Sequence, residues 1–284
     1  MRWVLVVCGL VFGDAVWAEQ LKTARFTSTE TNATRITGLL LQPEGQGPFP
    51  AVVMMHGCSG LWDTSGKLRQ RPAFWSQWLR SHGFVVLMAD SFHPRGHGSI
   101  CSIKDRPVLP ERERPFDAYG ALAYLQGRAD VKPDRVALMG WSNGAMALLW
   151  TIQSDTEARP SALTHDFRAA IGFYPGCTKI GKAGFATHIP TLLQLGAKDD
   201  WTPPGPCLRM VATAHARSSP IAANLYPGAY HNFDHPTKKV RTLVTRNSVH
   251  KKGEKRVHSG RNKKAREAAI TNVERFLRRQ VLDQ

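Results

Sequence analysis

After its first eighteen residues this sequence has no apolar run near the ~20 residues that a helix needs to cross a bilayer. Repeats and low-complexity tracts are also missing, which excludes a solenoid or a disordered chain. Cysteine is scarce, at five residues, and none of it falls in zinc-finger spacing. Acid is short as well: 22 Asp and Glu face 38 Lys and Arg, for a net charge of +16. No RNA-binding signature or interleaved aromatic platform accompanies that charge, so no specific nucleic-acid partner is expected.

What is present is enough apolar sequence, 42% of 284 residues, for one large domain with a buried core. The N-terminus carries the exceptional run. Met1-Arg2 precedes apolar sequence from Trp3 to Gly13, and Val16 and Ala18 stand three and one residues before Glu19. This is the pattern of a secretory signal over residues 1–18. It predicts an exported, periplasmic or extracellular protein with a single mature domain over residues 19–284. Cys8 would leave with the signal. Cys58, Cys101, Cys177 and Cys207 remain, an even set that predicts two disulfides in an oxidising compartment, and spacing alone permits three pairings.

Positive charge is concentrated near the end, where Lys238 to Gln284 hold fifteen Lys and Arg against four Asp and Glu. Such a block attracts nucleic acid, anionic lipid or anionic envelope polymer. A solvated face is the plainer reading, with weak electrostatic contact to envelope polymers as the partner it allows. Residues 237–260 lack apolar periodicity and are expected to form a basic exposed loop.

Strand-like runs recur at Arg35–Leu41, Ala51–His56, Phe84–Ala89, Arg135–Gly140, Ala169–Tyr174, Thr191–Gly196 and Ala222–Tyr226. Most are continuously apolar, as strands covered on both faces are, which implies a parallel sheet. Helical patterns lie between them at Ala73–His82, Phe116–Arg128, Asn143–Gln153, Pro206–Ala216 and Asn262–Val281. The alternation defines an α/β class with a mostly parallel central sheet flanked by helices on both faces.

Gly140-Trp141-Ser142-Asn143-Gly144 joins an apolar strand to a helical run, the context in which Gly-x-Ser-x-Gly forms a nucleophile elbow. Serine needs a base and an orienting acid, in the chain order serine, acid, histidine. Asp199 and Asp200 follow the strand ending at Gly196, and Asp199 is favoured, with Asp200 a loop or capping residue. His231, in Tyr226-Pro227-Gly228-Ala229-Tyr230-His231, is the expected base, with His235 its nearest competitor and His250 and His258 left in the basic loop. His56-Gly57-Cys58 closes an earlier strand. Its loop would place the Cys58 amide opposite that of Asn143 as the two oxyanion donors, with His56 shaping the loop.

Together His56–Gly60, Asp90–Gly96, Gly140–Gly144, Gly196–Pro203 and Tyr226–Phe233 resemble the dienelactone hydrolase family across essentially the whole mature chain. The resemblance implies an α/β-hydrolase fold and hydrolysis of a small-molecule ester or lactone; a monomer is expected, and the serine mechanism requires no metal or organic cofactor. It also implies neighbouring strand ends that pair Cys58 with Cys101 and Cys177 with Cys207, and an arginine near Arg95 that holds a substrate carboxylate. The dienelactone-cleaving members carry cysteine where this chain has Ser142, so the resemblance does not carry their substrate over. Trp62, Trp141 and Trp201 adjoin the oxyanion loop, nucleophile and acid, and are candidates to line a substrate pocket. His93 and His97 are separated by Pro94 and Gly96, which argues against a shared metal. The alternative function is a non-catalytic envelope protein that binds polyanions through its basic block.

Overall fold

The computed structural model describes residues 21–248 and 251–283, with 245–248 and 251–255 as backbone only. The expected signal over residues 1–18 lies outside them. Eight strands form one sheet: β1 (Lys22–Thr27), β2 (Arg35–Leu41), β3 (Phe49–Met55), β4 (Val85–Asp90), β5 (Val131–Trp141), β6 (Ala169–Phe173), β7 (Thr191–Gly196) and β8 (Ile221–Tyr226). Their order is β1-β2-β4-β3-β5-β6-β7-β8. The pairings β1 with β2 and β2 with β4 are antiparallel, and the rest are parallel. This is the α/β-hydrolase arrangement, with β5 at its centre.

The period-2 geometry of strands divides the core into two layers. Ala51, Val53 and Met55 of β3 and Val136 and Leu138 of β5 face one side, against helices α2 (Glu113–Gln126) and α3 (Asn143–Thr151). Val52, Met54, Ala137 and Met139 face the other, against α1 (Gln70–Ser81) and α6 (Lys263–Leu277). Two further helices, α4 (Thr178–Lys182) and α5 (Pro204–His215), follow β6 and β7. The central strands read as unbroken apolar runs because both of their faces are covered. Edge strand β1 instead buries only Ala24 and Phe26, in alternation, and six residues of that kind give too faint a signal to stand out in the sequence.

The expectation of a basic loop over 237–260 is corrected. β9 (Arg241–Ser248) and β10 (Lys251–Ser259) pair antiparallel as a separate two-stranded hairpin. Val257 is fully buried and Ser259 nearly so, while Val244 is exposed. A hairpin resting on a body through so few positions shows little apolar periodicity, and its scattered β-branched residues, Thr242, Val244, Thr245 and Val257, give only a weak strand signal.

Both disulfides form in the pairing that the resemblance implied, Cys58–Cys101 and Cys177–Cys207, each with Cα atoms 4.9 Å apart. With sequence separations of 43 and 30, each is worth roughly 3.5–4 kcal/mol in the chain-entropy estimate. The first fastens the loop after β3 to the one after β4. The second ties the loop after β6 to α5.

Candidate active site

β5 ends at Trp141 and α3 starts at Asn143, so Ser142 alone makes the turn, at φ 51° and ψ −115°. A non-glycine residue held there costs on the order of 1–3 kcal/mol and persists only where its surroundings enforce it. They do so by close backbone approach. A Cβ on Gly140 would stand 2.5 Å from the Gly144 carbonyl oxygen, and one on Gly144 would stand 2.1 Å from that of Met55. Only glycine at both positions lets strand, helix and the end of β3 meet. The Ser142 amide donates to the Phe173 carbonyl at 2.9 Å, fixing the turn to β6 as well.

The loop after β8 returns across the C-terminal ends of the strands and brings His231 to the serine. His231 Nε2 lies 3.0 Å from Ser142 Oγ, and its Nδ1 lies 2.7 Å from Asp199 Oδ2. A carboxylate accepts only, so Nδ1 carries the proton and Nε2 presents its lone pair to the hydroxyl. The Asp199 carboxylate is itself aimed: Oδ1 accepts from the amides of Trp201 and Thr202, both at 2.9 Å, and Oδ2 lies 3.0 Å from Thr202 Oγ1. Asp199 and His231 are both buried. Asp200, one residue on, turns to the hairpin, where Oδ1 accepts from the His258 amide at 2.8 Å and Oδ2 lies 2.7 Å from its Nδ1. His235 does not reach the serine. Its Nδ1 accepts from the amides of Thr237 and Lys238, at 3.3 and 3.1 Å.

Gly57 abuts Ser142, since a Cβ there would lie 3.7 Å from the Ser142 Cβ. The amides of Cys58 and Asn143, at the end of β3 and the start of α3, donate to nothing among the described residues. Burial and the Arg114 charge hold His56 down to about 3, so its ring is neutral. Its Nε2 accepts from the Ser91 amide at 3.2 Å, which leaves Nδ1 to donate to the Gly57 carbonyl at 2.8 Å. His56 thus staples its own turn to the loop after β4.

A cavity of about 460 Å³ opens over Ser142 and His231, with Trp141 and Trp201 in its wall. Trp62 is absent from that lining: its indole N–H goes to Asp90 Oδ2, 2.8 Å away, and its ring packs on the core. Arg95 likewise is corrected from substrate binder to strut. Its guanidinium makes a two-pronged pair with Asp117, both bonds 2.9 Å, and also donates to Glu30 and the Ser91 carbonyl. The cations that do line the cavity are Arg69, Arg71 and Lys238, with Asp63 the one carboxylate among its lining residues. Leu243, Val244 and Ser259 of the hairpin complete the wall.

These cations are crowded. Burial first, then Arg241, Arg71 and Arg69, lower the Lys238 ammonium below the usual lysine range. Burial, Arg71 and Lys238 together hold His235 down to about 4. Arg71 is fixed from behind: Nη1 donates to the Tyr174 hydroxyl at 2.7 Å and to Asn232 Oδ1, and lies 4.0 Å from Asp234 Oδ1. Asp234 is fully buried and gathers the Trp75 and Trp141 indoles at 2.9 and 2.8 Å and the Tyr174 hydroxyl at 2.5 Å. Sequence reasoning missed Arg69, Arg71, Lys238 and Asp234. The only available cue was the position of Asp234, three residues after His231.

The sheet order, with a strained serine at the end of the central strand and an imidazole and carboxylate in line behind it, defines an α/β-hydrolase. The chain belongs to the dienelactone hydrolase family, whose model matches residues 36–281. Among curated proteins it is 31% identical over 147 residues to the esterase EstD of Thermotoga maritima, covering 49% of this chain and 34% of EstD. It is also 31% identical to YtaP of Bacillus subtilis over 131 residues, covering 40% of this chain and 42% of YtaP. The chain thus spans less than half the length of these two relatives. An uncharacterised Mycobacterium tuberculosis protein is 28% identical over 75% of this chain and 74% of its own. Of solved structures, the dienelactone hydrolase-like promiscuous phosphotriesterase P91, from metagenomic libraries, superposes with a TM-score of 0.65 at 18% identity, over 92% of this chain and 99% of P91. Thermogutta terrifontis esterase 2, phosphorylated by paraoxon, does so at 0.64 and 16%, over 93% and 95%. At those identities the likeness establishes the fold.

Proposed function

We propose that this protein is an exported serine hydrolase that cleaves a carboxylic ester or lactone through Ser142, His231 and Asp199. The mature enzyme would be a single domain from residue 19 onward, acting as a monomer without metal or organic cofactor. The observation that carries the reading is the unbroken line Ser142 Oγ, His231 Nε2, His231 Nδ1, Asp199 Oδ2, with steps of 3.0 and 2.7 Å, beside two backbone amides unengaged among the described residues.

His231 Nε2 takes the Ser142 proton as Oγ bonds to the acyl carbon, and the carbonyl oxygen becomes an anion held by the Cys58 and Asn143 amides. Collapse breaks the bond to the alcohol, which leaves with the proton from the imidazolium. Water, deprotonated by His231, then attacks the acyl-enzyme, and the carboxylic acid departs as Oγ recovers its proton. The esterase named among the curated relatives, and the paraoxon adduct of a structural neighbour, accord with such a nucleophile. Arg69, Arg71 and Lys238 favour esters that carry negative charge, against the apolar surface of Trp141 and Trp201. Hydrolysis of short p-nitrophenyl esters tests the assignment: Ser142→Ala should lower kcat by at least ~10³-fold in folded protein, and retention of wild-type turnover would refute it.

A further inference from the structure

Resting on the serine-hydrolase reading, we infer that Arg114 is a positioning residue for the oxyanion hole, one buried guanidinium that holds the two amide-bearing segments in register. Arg114 stands in the first turn of α2 and is fully buried. Its Nη1 donates to Asn143 Oδ1 at 2.6 Å, its Nη2 to the His56 carbonyl at 2.8 Å, and its Nε to Ser91 Oγ at 3.4 Å. Asn143 supplies one oxyanion amide from its own backbone. The His56 carbonyl belongs to the peptide that leads into Gly57 and Cys58, the source of the other.

A guanidinium is planar, and its donors diverge at fixed angles, so gripping both oxygens sets the spacing between them. Asn143 Oδ1 must accept, which fixes the amide's orientation and leaves Nδ2 buried without a partner. The arginine that could have served as an ordinary strut is Arg95, which takes the Asp117 carboxylate for itself. Among the described residues Arg114 forms no ion pair with a carboxylate: its donors meet uncharged oxygens, and Asp117 and Asp90 offset its burial only through space. Burial lowers it to about 9, yet it remains charged at neutral pH. A cation buried at such cost, when a neutral donor would pack more cheaply, is explained by its position: it pins both oxyanion segments and adds positive potential where negative charge develops.

The test compares wild type, Arg114→Lys and Arg114→Gln for p-nitrophenyl ester hydrolysis and for inhibition by a trifluoromethyl ketone, whose hemiketal oxygen occupies the oxyanion hole. Thermal unfolding verifies that each variant is folded. The expected result is a kcat lowered about 10–100-fold in Arg114→Gln with KM within about twofold, a parallel loss of ketone affinity, and partial recovery in Arg114→Lys. Should Arg114→Gln fail to fold, Asn143→Ala keeps the backbone amide while removing Oδ1, and should show the same split more weakly. Loss of thermal stability with wild-type kcat and ketone affinity would overturn the inference, as would a rise in KM alone. A fluorophosphonate label on wild-type Ser142 separates the two claims. If the label is present and Arg114 is dispensable, only this inference falls; if it is absent, the nucleophile reading falls and this inference with it.

Discussion

The two halves of the site are braced in different ways. The half around Ser142, the proposed nucleophile and oxyanion side, is held from within, by glycine contacts at Gly140 and Gly144, the neutral His56 ring and the buried Arg114. The half around Asp199 and His231, the proposed acid and base, is held by its own loop at Trp201 and Thr202 and also leans on the hairpin. Asp200 pairs with His258, Asn232 Nδ2 donates to Ser259 Oγ at 2.7 Å, and the Gly260 amide donates to the His231 carbonyl at 2.9 Å. The His258 and Asp200 side chains are 41% and 34% exposed, so water and salt reach this brace and not the other. On the proposed mechanism, the part that must not move is built into the core, and the part that would carry the proton is attached to a peripheral element.

Substitutions on the two sides should therefore differ in scale. Gly144→Ala would push a Cβ to 2.1 Å from the Met55 oxygen and displace the elbow. Its expected cost is 2–3 kcal/mol or more, read by denaturant unfolding, with a kcat loss beyond about 100-fold. A tolerated alanine would break the contrast at its firmer end. His258→Ala removes the side-chain link from the hairpin to the acid loop. The exposed pair is worth only about 0–1 kcal/mol to stability, but kcat should fall about 3–10-fold, and the gap from wild type should narrow as salt is raised from 50 to 500 mM. Unchanged kcat at low salt would show that the hairpin does not steady Asp199 and His231.

Arg71 lies where the halves meet, donating to Asn232 beside His231 and anchored through Tyr174 and Asp234. Arg71→Gln should raise KM about tenfold, or about 1.4 kcal/mol, for an ester with a carboxylate on its acyl chain, while KM for its neutral analogue shifts less than twofold. Equal shifts for both would remove the charge preference from the account.

The legible parts of this protein were those encoded in contiguous sequence. β3 to β7 announced themselves as apolar runs, and Ser142, Asp199 and His231, which the structure brings within hydrogen-bond reach of one another, lie one, three and five residues past strand ends, where a local reading could single them out. The illegible parts are encoded across the fold. Nothing near Arg95 reveals that Asp117, twenty-two residues on, will saturate it. Nothing near Arg114 reveals that Asn143 and His56 converge on it, or near Arg71 that it faces the cavity. The hairpin escaped for a related reason, since it rests on partners such as Asp200 and Asn232 and presents no apolar stripe of its own.

A further expected effect is a pH slope. His235 is lowered from 6.5 to about 4, and as a neutral ring it accepts the Thr237 and Lys238 amides at the root of the hairpin. Between about pH 6.5 and 4 the unfolded chain binds a proton that the folded chain resists, so stability present above this window is lost as pH falls through it. His235→Gln should flatten the decline of the unfolding free energy between pH 6.5 and 4 relative to wild type, by up to about 1.4 kcal/mol per pH unit, read by denaturant unfolding at each pH. An unaltered slope would detach His235 from the hairpin's anchorage.

The central claim, that Ser142 is a nucleophile activated by His231, is tested most directly by fluorophosphonate labelling followed by peptide mass spectrometry. The account predicts a single adduct on the peptide that contains Ser142, formed rapidly in wild type and slowed at least ~10³-fold in folded His231→Ala. An unlabelled Ser142 in folded wild-type protein, or labelling at the same rate without the histidine, would contradict it.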